Sequence, residues 1–181
     1  MPIDVCRPHG EALAWCVAHA LEGIPRRARR LGIDANGGWM LLIKNQLAQL
    51  ADALEYEVQT PAATPSRNND HPAAAQLYDL AWAARTADGA PVARLPLVLD
   101  SGWHSNRDEQ IGADFQDLLL ARADLRVMVF QQRKAAGVQL VMDALERQAR
   151  AAATTNLGDR YLLCGYDWED TKRFAFRSFA T

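Results

Sequence analysis

Lysine is scarce in this chain of 181 residues: Lys44, Lys134 and Lys172 stand against seventeen arginines, so any chemistry that needs an ammonium group has few candidates. The cysteines Cys6, Cys16 and Cys164 are odd in number and show no C-x-x-C spacing, so neither a disulfide framework nor a zinc knuckle is indicated, and buried or idle thiols are expected. No apolar run nears the roughly 20 residues of a spanning helix. The N-terminal stretch is interrupted by Asp4, Arg7, His9 and Glu11 before any apolar core, so no leader or membrane contact is expected and a cytoplasmic location is. There is no excess of positive charge either. With a net charge of −2 and a pI near 6.1, the field of the whole molecule does not draw in a polyanion, and any nucleic-acid contact has to be local. Finally, no glycine-rich phosphate cradle is present, and the serines, cysteines and histidines form no nucleophile motif.

What is present is an ordinary globular composition, 49% apolar and 23% charged, which excludes a disordered chain. The length suits one domain, or one domain with an extension, since single cores close within about 100–200 residues. Residues 11–31 predict an alanine-rich helix that breaks at Gly23 and Pro25 and ends in Arg26, Arg27, Arg29 and Arg30. We read 1–37 as a helical extension and 38–181 as the domain. In that domain Trp39, Ile43, Leu47, Leu50 and Leu54 recur at helical spacing, Tyr56 to Thr60 form a short strand, and 61–75, with three prolines and two asparagines, form a loop. Two strands over 76–84 and 94–100, joined through Asp88-Gly89, read as a hairpin. A helix over 108–123 carries Ile111, Phe115, Leu118 and Arg122 on one face, with Asp108 and Glu109 at its positive end. The run 125–130 suits a strand buried on both faces, 134–150 a helix, and 160–166 and 173–179 two closing strands. Such alternation predicts an α/β fold with a mixed sheet flanked by helices.

Two carboxylates stand out, Asp79 within YDLAW and Asp100 ending LVLD, because an acid in an apolar strand is costly to bury. Singly, each can be a strand-end acid facing water. As hairpin partners within about 4 Å they would repel by about 4 kcal/mol at an effective dielectric near 20, so a cation, a shared proton or an arginine has to relieve them. Oxygen-only ligands favour magnesium or manganese.

The element order, Asp79 on the second strand, Asp100 at the end of the third and the following DFQDLLLARADLRVMVF together resemble the PD-(D/E)XK nuclease superfamily across residues 38–131, in particular a bacterial branch with a degenerate motif. The resemblance implies a restriction-endonuclease-like core: a central mixed β-sheet flanked by helices, with Asp79 and Asp100 holding Mg²⁺ or Mn²⁺ for phosphodiester hydrolysis. In the family a lysine two residues beyond the second acid helps position the attacking water; here that position is Gly102. Relatives that supply the lysine from the next helix, in a DFxKLL-like segment, have it where this chain has Asp117. The glutamate that relatives add from the first helix has no counterpart in Asn45, Gln46 or Gln49, which leaves Glu55 or Glu57 near its end. Lys44 swinging in from the first helix, or Asp117 as an extra metal ligand, are the two ways to restore the site. Losing one electrostatic stabiliser costs about 10²–10³ in rate, so hydrolysis is expected to be weak or lost.

The rival reading is a non-catalytic protein on the same fold that engages a protein partner, as an immunity or regulatory factor; a third is an unrelated α/β scaffold with fortuitous acids. DNA, a protein partner and a second copy of the chain stay open as partners. Beyond the acids, His104 can be a base, a phosphate contact or a solvated loop residue. Arg26, Arg27, Arg29 and Arg30 can meet phosphates, with Trp39 near for stacking, or form a solvated helix face. Trp82 and Trp103 suit the core or a site wall.

Overall fold

The computed structural model describes residues 8–61, 78–84, 94–103 and 108–181. Most of the loop expected over 61–75, the Asp88-Gly89 turn, Cys6 and His104 lie outside the described residues. Three helices come first, α1 (Gly10–Glu22), α2 (Ile24–Arg30) and α3 (Asn36–Ala53). The break between α1 and α2 falls at Gly23, and Pro25 occupies the first turn of α2, where its missing N–H has no carbonyl to serve. Then follow β1 (Glu57–Gln59), β2 (Leu80–Ala84), β3 (Arg94–Gly102), α4 (Asp108–Leu120), β4 (Leu125–Gln132), α5 (Ala135–Ala151), β5 (Arg160–Asp167) and β6 (Phe174–Ala180).

The strands form one mixed sheet in chain order, β1-β2-β3-β4-β5-β6. β1–β2 and β2–β3 are antiparallel, so the expected hairpin is present; β3–β4 and β4–β5 are parallel, bridged by α4 and α5; β6 closes antiparallel on β5. Side-chain alternation sorts the core onto two faces. Leu80, Trp82, Leu97, Leu99, Val127, Val129 and Leu162 pack beneath α1, α2 and α3. Ala81, Val98, Met128, Phe130, Tyr161 and Leu163 pack beneath α4 and α5. The extension residues Leu13, Val17, Leu21 and Ile24 are fully buried and belong to the first of these cores, together with α3.

Two glycines let the helices of the second face lie close to the strands. A Cβ on Gly102 would meet Ile111 Cγ1 of α4 at 2.9 Å and Met128 Cε at 3.2 Å, and one on Gly165 would run into Val138 of α5 and meet Phe130 Cζ at 2.8 Å. Arg126 precedes the apolar Met128 and Phe130 on that face of β4. Its guanidinium is buried, donates to Ala121 O at 2.9 and 2.6 Å and to Ala123 O at 3.0 Å, pairs with Asp159 at 3.1 Å and lies over the Tyr161 ring. It thus serves two carbonyls just beyond Leu120, the last residue of α4. α4 stops at Leu120, three residues short of the expected boundary. Among the described residues no helix is long and apolar enough to cross a membrane.

Candidate functional site

β3, β4 and β5 run parallel and end at one edge of the sheet, and in open α/β sheets ligands bind outside such carboxyl ends. Asp100, Ser101 and Gly102 end β3 at this edge. β2 enters there: Leu80 pairs with Leu99, so Asp79, one position earlier, stands across from Asp100. A bend at 78–79 frees Asp79 from the strand's alternation.

Asp79 turns toward α3. Its Oδ1 accepts from Lys44 Nζ at 2.9 Å and its Oδ2 from Ser101 Oγ at 2.5 Å; Lys44 and Asp79 are each a little over a quarter exposed. Lys44 reaches it because Ile43 and Leu47 anchor the apolar stripe of α3 in the core and leave the neighbouring position at the rim. Asp100 belongs to the opposite face. Gly102, two residues on, lies under Ile111 of α4, so the Asp100 side chain leaves the sheet on the α4 side, while Ser101 leaves it on the α3 side. Burial pushes the Asp100 carboxyl up to about 7; the Ser101 N–H, donating to Oδ1 at 2.8 Å, opposes this, and the negative fields of Asp79, Asp114 and Asp117 add to it. The Tyr78 phenol is raised by burial first and then by Asp117, with Arg126 acting the other way.

The expected residues therefore divide. Lys44 and Asp79 meet in an ion pair, with Ser101 as a third member. Asp100 and Asp117 share the α4 side, where Asp117 acts on Asp100 as one more negative charge. Neither Asn45, Gln46 nor Gln49 joins the pair in the described contacts; Gln46 accepts weakly from Arg27 at 3.5 Å. Trp103 and Trp39, stacked at 5.5 Å between ring centres, and Trp82 are all buried in the first core. Arg26 and Arg29 face a cleft beside the turn between β5 and β6, whereas Arg27 points to α3. Sequence reasoning missed Ser101, for which a hydroxyl next to the second acid was the available sign, and Arg126, whose charge inside LRVMVF was the sign.

Magnesium and manganese prefer about six oxygen ligands. Both oxygens of Asp79 already accept from Lys44 and Ser101, and Asp100 leaves the sheet on the opposite face. Among the described residues no group of three or more His, Cys, Asp or Glu is arranged to hold a metal ion. This donor set does not suit the divalent cation that the resemblance implies. A search for similar proteins finds none. No protein-family model, curated protein or solved structure matches the chain.

Proposed function

We propose that this chain is a restriction-endonuclease-like domain that has lost phosphodiester hydrolysis and serves as a non-catalytic binding protein. The single observation that carries the reading is the closed state of Asp79: an ammonium group and a hydroxyl fill the oxygens that a metal would need. The order α3-β1-β2-β3-α4-β4, with antiparallel, antiparallel and parallel pairing, supports the nuclease-like ancestry. The crowding at Gly102 supports the loss, because a lysine at that position has no room beneath α4. In this reading Lys44 neutralises Asp79 as a metal would, and Asp100, which has no cationic partner among the described residues, takes a proton instead.

The test is plasmid nicking with millimolar Mn²⁺ or Mg²⁺, run beside a melting curve with and without the metal. Wild type is expected to nick no faster than Asp79→Asn and to melt at the same temperature with and without metal. Metal-dependent nicking that Asp79→Asn abolishes would overturn the reading.

A further inference from the structure

A cleft of roughly 760 Å³ lies between α2 and the turn that joins β5 to β6, at the same sheet edge as the acids but over its other end. That volume is within the range of about 300–1,000 Å³ usual for small-molecule sites. Arg26 and Arg29, one helical turn apart, enter it from α2; Lys172 and Arg173 enter from the turn. Among the described residues none of these four cations is in an ion pair. Glu22 is the acid that lines the cleft, and it pairs with His19 at 3.3 Å.

The turn is built to hold its cations in place. Buried Asp167 accepts from the N–H groups of Thr171 at 2.6 Å and Lys172 at 3.1 Å, and from the Thr171 hydroxyl. Lys172 sits at φ +54°, a left-handed conformation that a non-glycine residue adopts at a cost. The turn's own acids are drawn away: Glu169 pairs with Arg133 at 2.6 Å, and Asp170 accepts from Ala135 N–H at the start of α5. Phe174 supplies an aromatic wall, and His19, which also lines the cleft, stacks at 5.2 Å on the two-thirds exposed Trp15 of α1.

We propose that this cleft binds a compact ligand carrying two or three linked phosphates, of the nucleoside di- or triphosphate class. The cations converge from two sides on one volume instead of tracking along a surface, which suits several charges on a short ligand better than a polymer backbone. The net charge of −2 argues the same way, since the molecule as a whole does not attract a long polyanion. Arginine forks match phosphate oxygens, and the aromatic surfaces of Phe174 and Trp15 offer a place for a base. The inference stands apart from the loss of hydrolysis, because it uses none of the residues at the β2–β3 end.

The test is isothermal titration of the full chain, without added metal, with ATP, with tripolyphosphate and with a twenty-nucleotide single strand. ATP is expected to bind one to one. Arg26→Ala/Arg29→Ala and Lys172→Asn are each expected to weaken it at least tenfold at an unchanged melting temperature; alanine suits the exposed helix and asparagine tolerates the left-handed turn. Trp15→Ala is expected to weaken ATP more than tripolyphosphate. The proposal is overturned by an absence of saturable binding of ATP, by affinities that the variants leave unchanged, or by binding of the long strand with ATP inert.

Discussion

Asp100 carries the clearest pH dependence in the molecule. An unfolded chain releases an aspartate proton near pH 4, whereas the folded chain releases this one at about 7. Between those values the folded state binds the extra proton, so its contribution to stability is largest at acid pH, falls as pH rises toward 7, and is flat above. Asp100→Asn keeps the shape and removes the charge. The variant is expected to be more stable than wild type by about 1–2 kcal/mol at pH 8, a figure reduced for solvent screening of a partly exposed group, with the advantage shrinking to less than half of that at pH 5 and vanishing only below the ordinary aspartate range. Urea melts at pH 5, 6, 7 and 8 measure this; parallel curves for the two proteins would show that burial does not act on Asp100. Asp167 works in the opposite sense. Burial tends to raise its carboxyl, but hydrogen bonds from the Thr171 hydroxyl and from the N–H groups of Thr171, Lys172 and Asp170 outweigh this and lower it, so its stabilisation is lost as pH falls below the ordinary aspartate range. At this scale the sequence exposed the acids but not their surroundings. Asp79 and Asp100 were visible as charges in apolar strands, and Lys44 as the lysine of the first helix; that they divide between two faces depends on the bend at 78–79, which period-two alternation does not contain.

Helix-to-sheet distance is set by glycine on the second face, and this decides what position 102 can tolerate. Position 102 is closed by packing: Ile111 occupies the space that a side chain there would need, and Ile111 is itself fully buried between α4 and the sheet. Gly102→Ala is expected to cost about 1 kcal/mol and Gly102→Lys about 2–3 kcal/mol, with no gain of nuclease activity. Denaturant unfolding together with plasmid nicking checks both halves; a stable, nicking Gly102→Lys protein would mean that α4 lifts freely from β3. Helices and strands were legible because their periodicities are strong, as with Trp39, Ile43 and Leu47 in α3 or the alternating cores of β3. Element ends were less so. α4 ends at Leu120, and the Ala121 carbonyl just beyond it is met by Arg126, six positions past the last helical residue, a contact that leaves no local pattern.

At the scale of the whole molecule, the question is whether the N-terminal helices are an appendage or part of one cooperative core. Residues 1–37 read as an extension because Gly23, Pro25 and the arginines interrupt the pattern, yet α1 and α2 place Leu13, Val17, Leu21, Ile24 and Ala28 in the same apolar cluster as Leu47, Leu97 and Leu162, all of them essentially without exposure. α1 touches β4, β5 and β6 as well as α3, so it covers the part of the first face that α3 leaves open. Removing it would uncover an apolar sheet surface that a small domain cannot leave in water. Leu21→Ala tests this without deleting anything: truncating a fully buried leucine is expected to cost about 2–4 kcal/mol if the cavity closes only in part. Tryptophan fluorescence follows the first core through Trp39, Trp82 and Trp103, while far-UV circular dichroism follows every helix. If α1 folds with the rest, both probes move to the same lower midpoint in one transition. Two separate transitions, with fluorescence unmoved, would make α1 an independent element, and the cleft between α2 and the β5–β6 turn would then lose its fixed geometry.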